Sequence, residues 1–141
     1  MRTFAFLLVI ALAGLGAARA ADEGPKEVAQ EFYDGYMKVL LAKGDTNAYV
    51  LDSPMVTDSF KAAYRKMIDM GFESDPIICG QDYPDQGFTA SDPSVDGDKA
   101  EVTMTSRGDD LVHSFTVTLK QRDGAWLISD TNDLKVDADS Y

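Results

Sequence analysis

The hydrophobic period of this chain changes once, at Gly71, and that single change limits the folds open to it. Before Gly71 the apolar residues recur at helical spacing; well after it they alternate at period two. From Pro25 to Lys43, stepping about 100° per residue, Val28, Ala29, Phe32, Tyr33, Tyr36, Met37, Val39 and Leu40 fill one half-turn. Glu27, Gln30, Glu31, Asp34 and Lys38 fill the other. Pro25 suits a first helical position, where its missing N–H is no loss, and Gly44 suits a carboxyl-terminal cap. So broad an apolar arc predicts a helix lying on a sheet face. Turn residues interrupt the pattern at 44–47 and again at Ser53-Pro54. A second helix then starts at Thr57 or Asp58, either of which can cap it. It turns Phe60, Ala63, Tyr64, Met67 and Ile68 one way and Lys61, Arg65, Lys66 and Asp69 the other, and Gly71 ends it.

The stretch from Asp75 to Pro84 holds two prolines and no helical register, so it reads as a loop or a short strand. Three alternating segments follow. Lys99 to Ser106 sets Ala100, Val102 and Met104 on one face; Leu111 to Lys120 does the same with Leu111, His113, Phe115, Val117 and Leu119. Ala125 to Asp130 carries Trp126 and Ile128 together. Asp96-Gly97-Asp98, Gly108-Asp109-Asp110 and Asp123-Gly124 are the hairpin turns between them. A weaker strand runs through Phe88 to Ala90, and the tail after Asp133 reads as frayed. Helices first and a meander second is an α+β plan, with the helices covering one face of a curved antiparallel sheet.

The amino terminus reads as a leader. Arg2 precedes an apolar run from Phe4 to Leu15, and Ala18-Arg19-Ala20 offers a cleavage site, which predicts a signal peptide over 1–20. The run is shorter than the roughly 20 residues of a membrane span, and no cysteine follows it to carry a lipid. The expected product is one periplasmic or secreted domain over 21–141, without a membrane anchor. Arg2 and Arg19 leave with the leader, so 11 basic side chains face all 24 acidic ones, a formal charge of −13. Such a surface repels phosphate backbones and argues against nucleic acid, while leaving a basic protein partner open. Cys79, the one cysteine, sits between Ile78 and Gly80 and is expected buried and unpaired.

The order of elements, ending in Gly124-Ala125-Trp126-Leu127-Ile128-Ser129-Asp130, resembles the NTF2-like superfamily of cone-shaped α+β domains. Val28-Ala29-Gln30-Glu31-Phe32-Tyr33 and the phrase Asp75-Pro76-Ile77-Ile78-Cys79-Gly80-Gln81-Asp82 are similar to the DUF3828 family of exported bacterial proteins. That family has no established activity and supplies no catalytic residue. The superfamily resemblance implies a pocket between the first helix and the concave sheet, lined here by Tyr33, Tyr36, His113, Trp126 and Asp130. The leading expectation is a non-catalytic domain that binds a small apolar or amphipathic ligand, or a protein partner, through this cone. One alternative is a proton-transfer enzyme using Asp130 and His113, since burial raises a carboxyl pKa toward a usable base. Another is an acidic inhibitor or immunity-type protein that neutralises a basic partner.

No metal or other cofactor is expected. Asp92 to Asp98 with Glu101 departs from a calcium loop at the second ligand and at the final Glu, so a turn rich in Asp and Gly accounts for it. One Cys and one His fall short of the four ligands of a structural zinc site. The chain has no P-loop, dinucleotide fingerprint or G-x-S-x-G element.

Overall fold

A computed structural model describes residues 23–137, so the expected leader and its cleavage after Ala20 lie outside the described residues. Helix α1 (Pro25–Leu41) buries Val28, Ala29, Phe32, Tyr33, Tyr36 and Met37, the arc its periodicity predicts. Its interior glycine, Gly35, would meet the Tyr49 hydroxyl if it carried a Cβ, which explains a residue that otherwise costs a helix about 1 kcal/mol. Helix α2 (Thr46–Leu51) lies where only turns were expected. Six residues are too few to show a period, and Asp45, read as a turn residue, accepts the Ala48 N–H at 2.9 Å as its N-cap. Helix α3 (Asp58–Met70) is capped by Thr57, whose hydroxyl accepts the Phe60 N–H, and it stops at Gly71 with φ +73°.

Five antiparallel strands form an open sheet: β1 (Phe88–Ala90), β2 (Ser94–Asp96), β3 (Lys99–Ser106), β4 (Ser114–Arg122) and β5 (Ala125–Thr131). Their order is β1-β3-β4-β5, with β2 also paired to β3. The all-exposed β2 was hidden in an Asp-rich turn because it has no buried face to alternate with. Ala100, Val102 and Met104 oppose Leu119, Val117 and Phe115, and all six are buried. Strand β4 begins at Ser114 instead of Leu111. Ahead of it the Ser106 hydroxyl donates to Leu111 O and accepts the His113 N–H, which widens the hairpin.

Strand β5 carries a bulge. Thr118 pairs with Asp130 but Leu119 pairs with Ile128, so Ser129 is an extra residue. An extra residue swaps the two faces of everything beyond it. Trp126 and Ile128 therefore point inward as expected, but Thr131 takes the next inward place and Asp130 turns to the outer face.

Both sheet edges are partly closed. Gln30 of α1 accepts the Ala90 N–H at 2.8 Å and donates to Phe88 O at 2.9 Å, taking the place of a neighbouring strand along β1. At β5, Ile128 bonds Met55 O and the Thr57 N–H. Nor is the tail frayed directly after Asp133. Leu134 is buried, and the Val136 N–H reaches Asp130 Oδ1 at 3.0 Å. The core lies between α1 and the sheet, where Tyr33 and Phe88 both pack on Phe115 at ring distances of 5.3 and 5.2 Å. Phe32, Phe115, Val117 and Leu119 share that core as expected, whereas Leu111 is only half-buried.

Candidate functional site

The segment 75–80 runs beneath α1 as a buried loop closed by the bond pair between Asp75 and Gly80. A buried loop leaves backbone carbonyls in need of donors. Here each finds a side chain. Thr131 Oγ1 donates to Pro76 O at 2.7 Å, Tyr33 to Ile77 O at 2.7 Å, and the His113 ring to Ile78 O at 2.7 Å. A carbonyl only accepts, so His113 Nε2 carries the proton in this pair. The Asp75 carboxylate completes the knot, taking the Tyr36 hydroxyl at 2.6 Å and the Ile77 N–H at 2.8 Å.

The electrostatics agree with a closed cluster. Burial pushes the Asp75 carboxyl above its ordinary range, opposed by the bonds from Tyr36 and Ile77. Burial, then the Asp75 charge, drives the Tyr36 hydroxyl far above its usual pKa. Burial does the same to Tyr33, helped by Cys79 and Asp75. Cys79 is half-buried, not fully buried as expected, and sits at φ +52° where the loop turns back. Its thiol faces Pro76 O at 3.6 Å and is pushed up by burial, the opposite of an activated nucleophile. Among the described residues no buried side-chain polar atom lacks a partner.

Of the five residues expected to line a pocket, three converge here: Tyr33, Tyr36 and His113. They bond backbone carbonyls and Asp75. Trp126 is buried within the same core. Asp130 does not join them. Turned outward by the bulge, it holds the Thr131 and Val136 N–H groups and faces a polar groove of about 420 Å³ with Thr116, Thr118 and Glu101. His113, in ring contact with Phe88 and Phe115, stays on the core side. The expected Asp130–His113 pair is therefore not formed. The partner that sequence reasoning missed is Asp75: Asp75-Pro76 marks the start of a loop in the sequence, but only the fold brings that loop to the tyrosine face of α1.

A different tyrosine builds an opening. Tyr49 on α2 sends its hydroxyl to Phe32 O at 2.8 Å, across the notch left by Gly35, and its ring packs on Phe32 at 5.5 Å. That lays the ring against α1 and leaves a groove of about 530 Å³ bounded by Val39, Ala48, Tyr49, Pro54 and Met55. Ser53, Asp45 and Asp52 complete its lining, and no basic residue does. The Tyr49 hydroxyl is raised to about 12 by burial first and by Glu31 and Asp34 after it, so it stays protonated and keeps donating.

No family model, curated protein or solved structure matches the chain. Among the described residues, no three His, Cys, Asp or Glu side chains gather as a metal site would require, and no helix is long and apolar enough to cross a membrane.

Proposed function

We propose that this chain is an exported, non-catalytic binding domain of the NTF2-like, DUF3828-like kind. Its ligand is an amphipathic molecule or protein segment with positive charge, and its site is the groove beside Tyr49, outside the cone. The groove itself carries this reading: an apolar floor of ligand-binding size, rimmed by Asp45 and Asp52 with no cation of its own. Burying an apolar group there gains about 25 cal/mol per Å² removed from water, and the two carboxylates select cations over anions. The closed knot around 75–80 argues against an interior site, because its tyrosines, histidine and carboxylate already hold one another and the backbone. The helices over an open antiparallel sheet and the tryptophan-bearing last strand favour the NTF2-like comparison.

Calorimetry with three single-chain probes below their micellar concentrations tests the proposal. Octyltrimethylammonium should bind, octyl glucoside more weakly, and octanoate not at all; Asp52→Lys should weaken the cation. Equal binding of all three, or of none, would remove the proposal.

A further inference from the structure

The groove's two carboxylates stand at opposite ends of one short helix. Asp45 is the N-cap of α2 and Asp52 its C-cap, seven residues apart. At 1.5 Å of rise per residue they are separated by about 10 Å along the helix axis. The apolar wall of Ala48 and Tyr49 lies between them, with Val39, Pro54 and Met55 across the groove. Asp45 uses Oδ1 to accept the Ala48 N–H, which leaves its charge and its second oxygen for a partner. Both carboxylates are exposed.

Two carboxylates attached two helical turns apart, with an apolar strip between their positions, have a simple complement. On an α-helix, residues i and i+7 lie two turns apart, also about 10.5 Å, and residues i+3 and i+4 fall between them on the same face. From this match we propose that the occupant is a basic amphipathic helix of a partner protein. It carries Lys or Arg at i and i+7 and large apolar residues at i+3 and i+4. The apolar pair enters the groove, and the two cations reach Asp45 and Asp52. This inference rests on the groove reading above and adds the partner's class and spacing. A helix laid in a groove is an established mode of recognition, read as anchors at i, i+3, i+4 and i+7. The groove is a wide, shallow opening at the surface, as a helix needs and an enclosed small-ligand pocket does not provide. The full chain's excess of 24 acidic over 13 basic side chains adds long-range attraction for such a partner.

Two synthetic helical peptides of identical composition test the spacing. One has lysines at i and i+7 around leucines at i+3 and i+4; the other moves the second lysine to i+2, off that face. Binding is read by calorimetry, and octyltrimethylammonium is titrated in parallel. The in-register peptide should bind about tenfold or more tightly than the permuted one, with affinity falling as salt rises. The double variant Asp45→Asn and Asp52→Asn should bring the two peptides to equal, weak affinity. Asn caps a helix as well as Asp, so an unchanged melting temperature would show that α2 is intact. Equal affinity of both peptides for the parent protein, with the small cation still bound, would overturn the helix proposal and leave the groove reading standing. Failure of both peptides and of the cation would overturn both.

Discussion

Two connections flank the tyrosine face of α1, and they resemble each other in composition. One runs over 75–80, the other over 44–55; each contains Asp, Pro and an apolar pair, and each is tied to α1 by a tyrosine hydroxyl. They end as opposites. In the first, the backbone is buried and its carbonyls need donors, so Tyr33, His113 and Thr131 are drawn in and the space closes. In the second, α2 satisfies its own backbone, and two tyrosine bonds, Tyr49 to Phe32 O and Tyr64 to Asn47 Oδ1, hold it in place. The Tyr49 ring is then left as a wall. Whether a loop satisfies its own carbonyls decides whether nearby polar side chains are free for a ligand.

Phe32 touches both regions, with ring contacts to Tyr33, Tyr36 and Tyr49. Phe32→Ala should therefore damage both, costing about 3–5 kcal/mol in urea unfolding. A loss near 1 kcal/mol would mean the two sides do not share one core.

Changes confined to the knot should be smaller and should spare the groove. Tyr33→Phe leaves Ile77 O buried without its donor, at about 1–3 kcal/mol. Asp75→Asn should cost a similar amount, with a pH signature. The raised carboxyl pKa means that the Asp75 contribution is full below the unfolded value and is lost as pH rises through the folded one. The gap between parent and Asp75→Asn should accordingly narrow from acid toward neutral pH. A gap that widens would place a stabilised carboxylate there instead.

Gly35→Ala separates propensity from packing. Alanine favours the helix by about 1 kcal/mol, but its Cβ would strike the Tyr49 hydroxyl. A net loss of about 1–2 kcal/mol with weakened groove binding is expected from the overpacking. A net gain would show that Tyr49 moves aside freely.

Ala48→Lys should have the smallest effect on folding, within about 0.5 kcal/mol, because Ala48 is exposed on a helix that accepts lysine. It should nonetheless abolish binding of a cationic amphiphile by placing a like charge in the groove.

Much of this arrangement was readable beforehand. The buried arc of α1, the cap and stop of α3 and the span of β3 follow from period and turn chemistry alone. What was not readable has physical causes. Asp130 lies on the inward face by alternation, yet one extra residue at Ser129 turns it out, and nothing in Leu127-Ile128-Ser129-Asp130 announces a bulge. Helix α2 is shorter than two turns, so only Asp45 marks it, and an Asp before Thr-Asn looks the same in a turn. Tyr33, Tyr36 and His113 do meet, as expected, but Tyr33 and His113 are partnered by backbone carbonyls, which no pattern of side chains displays, and Tyr36 by Asp75. The phrase from Asp75 to Asp82, the most distinctive in the chain, opens with the loop that holds the knot together.

Binding is expected at the Tyr49 groove, outside the knot around 75–80. A residue-by-residue amide map during titration with octyltrimethylammonium tests it directly. The expected result is saturable shifts at Val39, Ala48, Tyr49, Asp52 and Met55, with Tyr33, Tyr36, Ile77 and His113 unmoved. Saturable shifts centred on Tyr33, Tyr36, Ile77 and His113, with the amides around Tyr49 unmoved, would contradict the account.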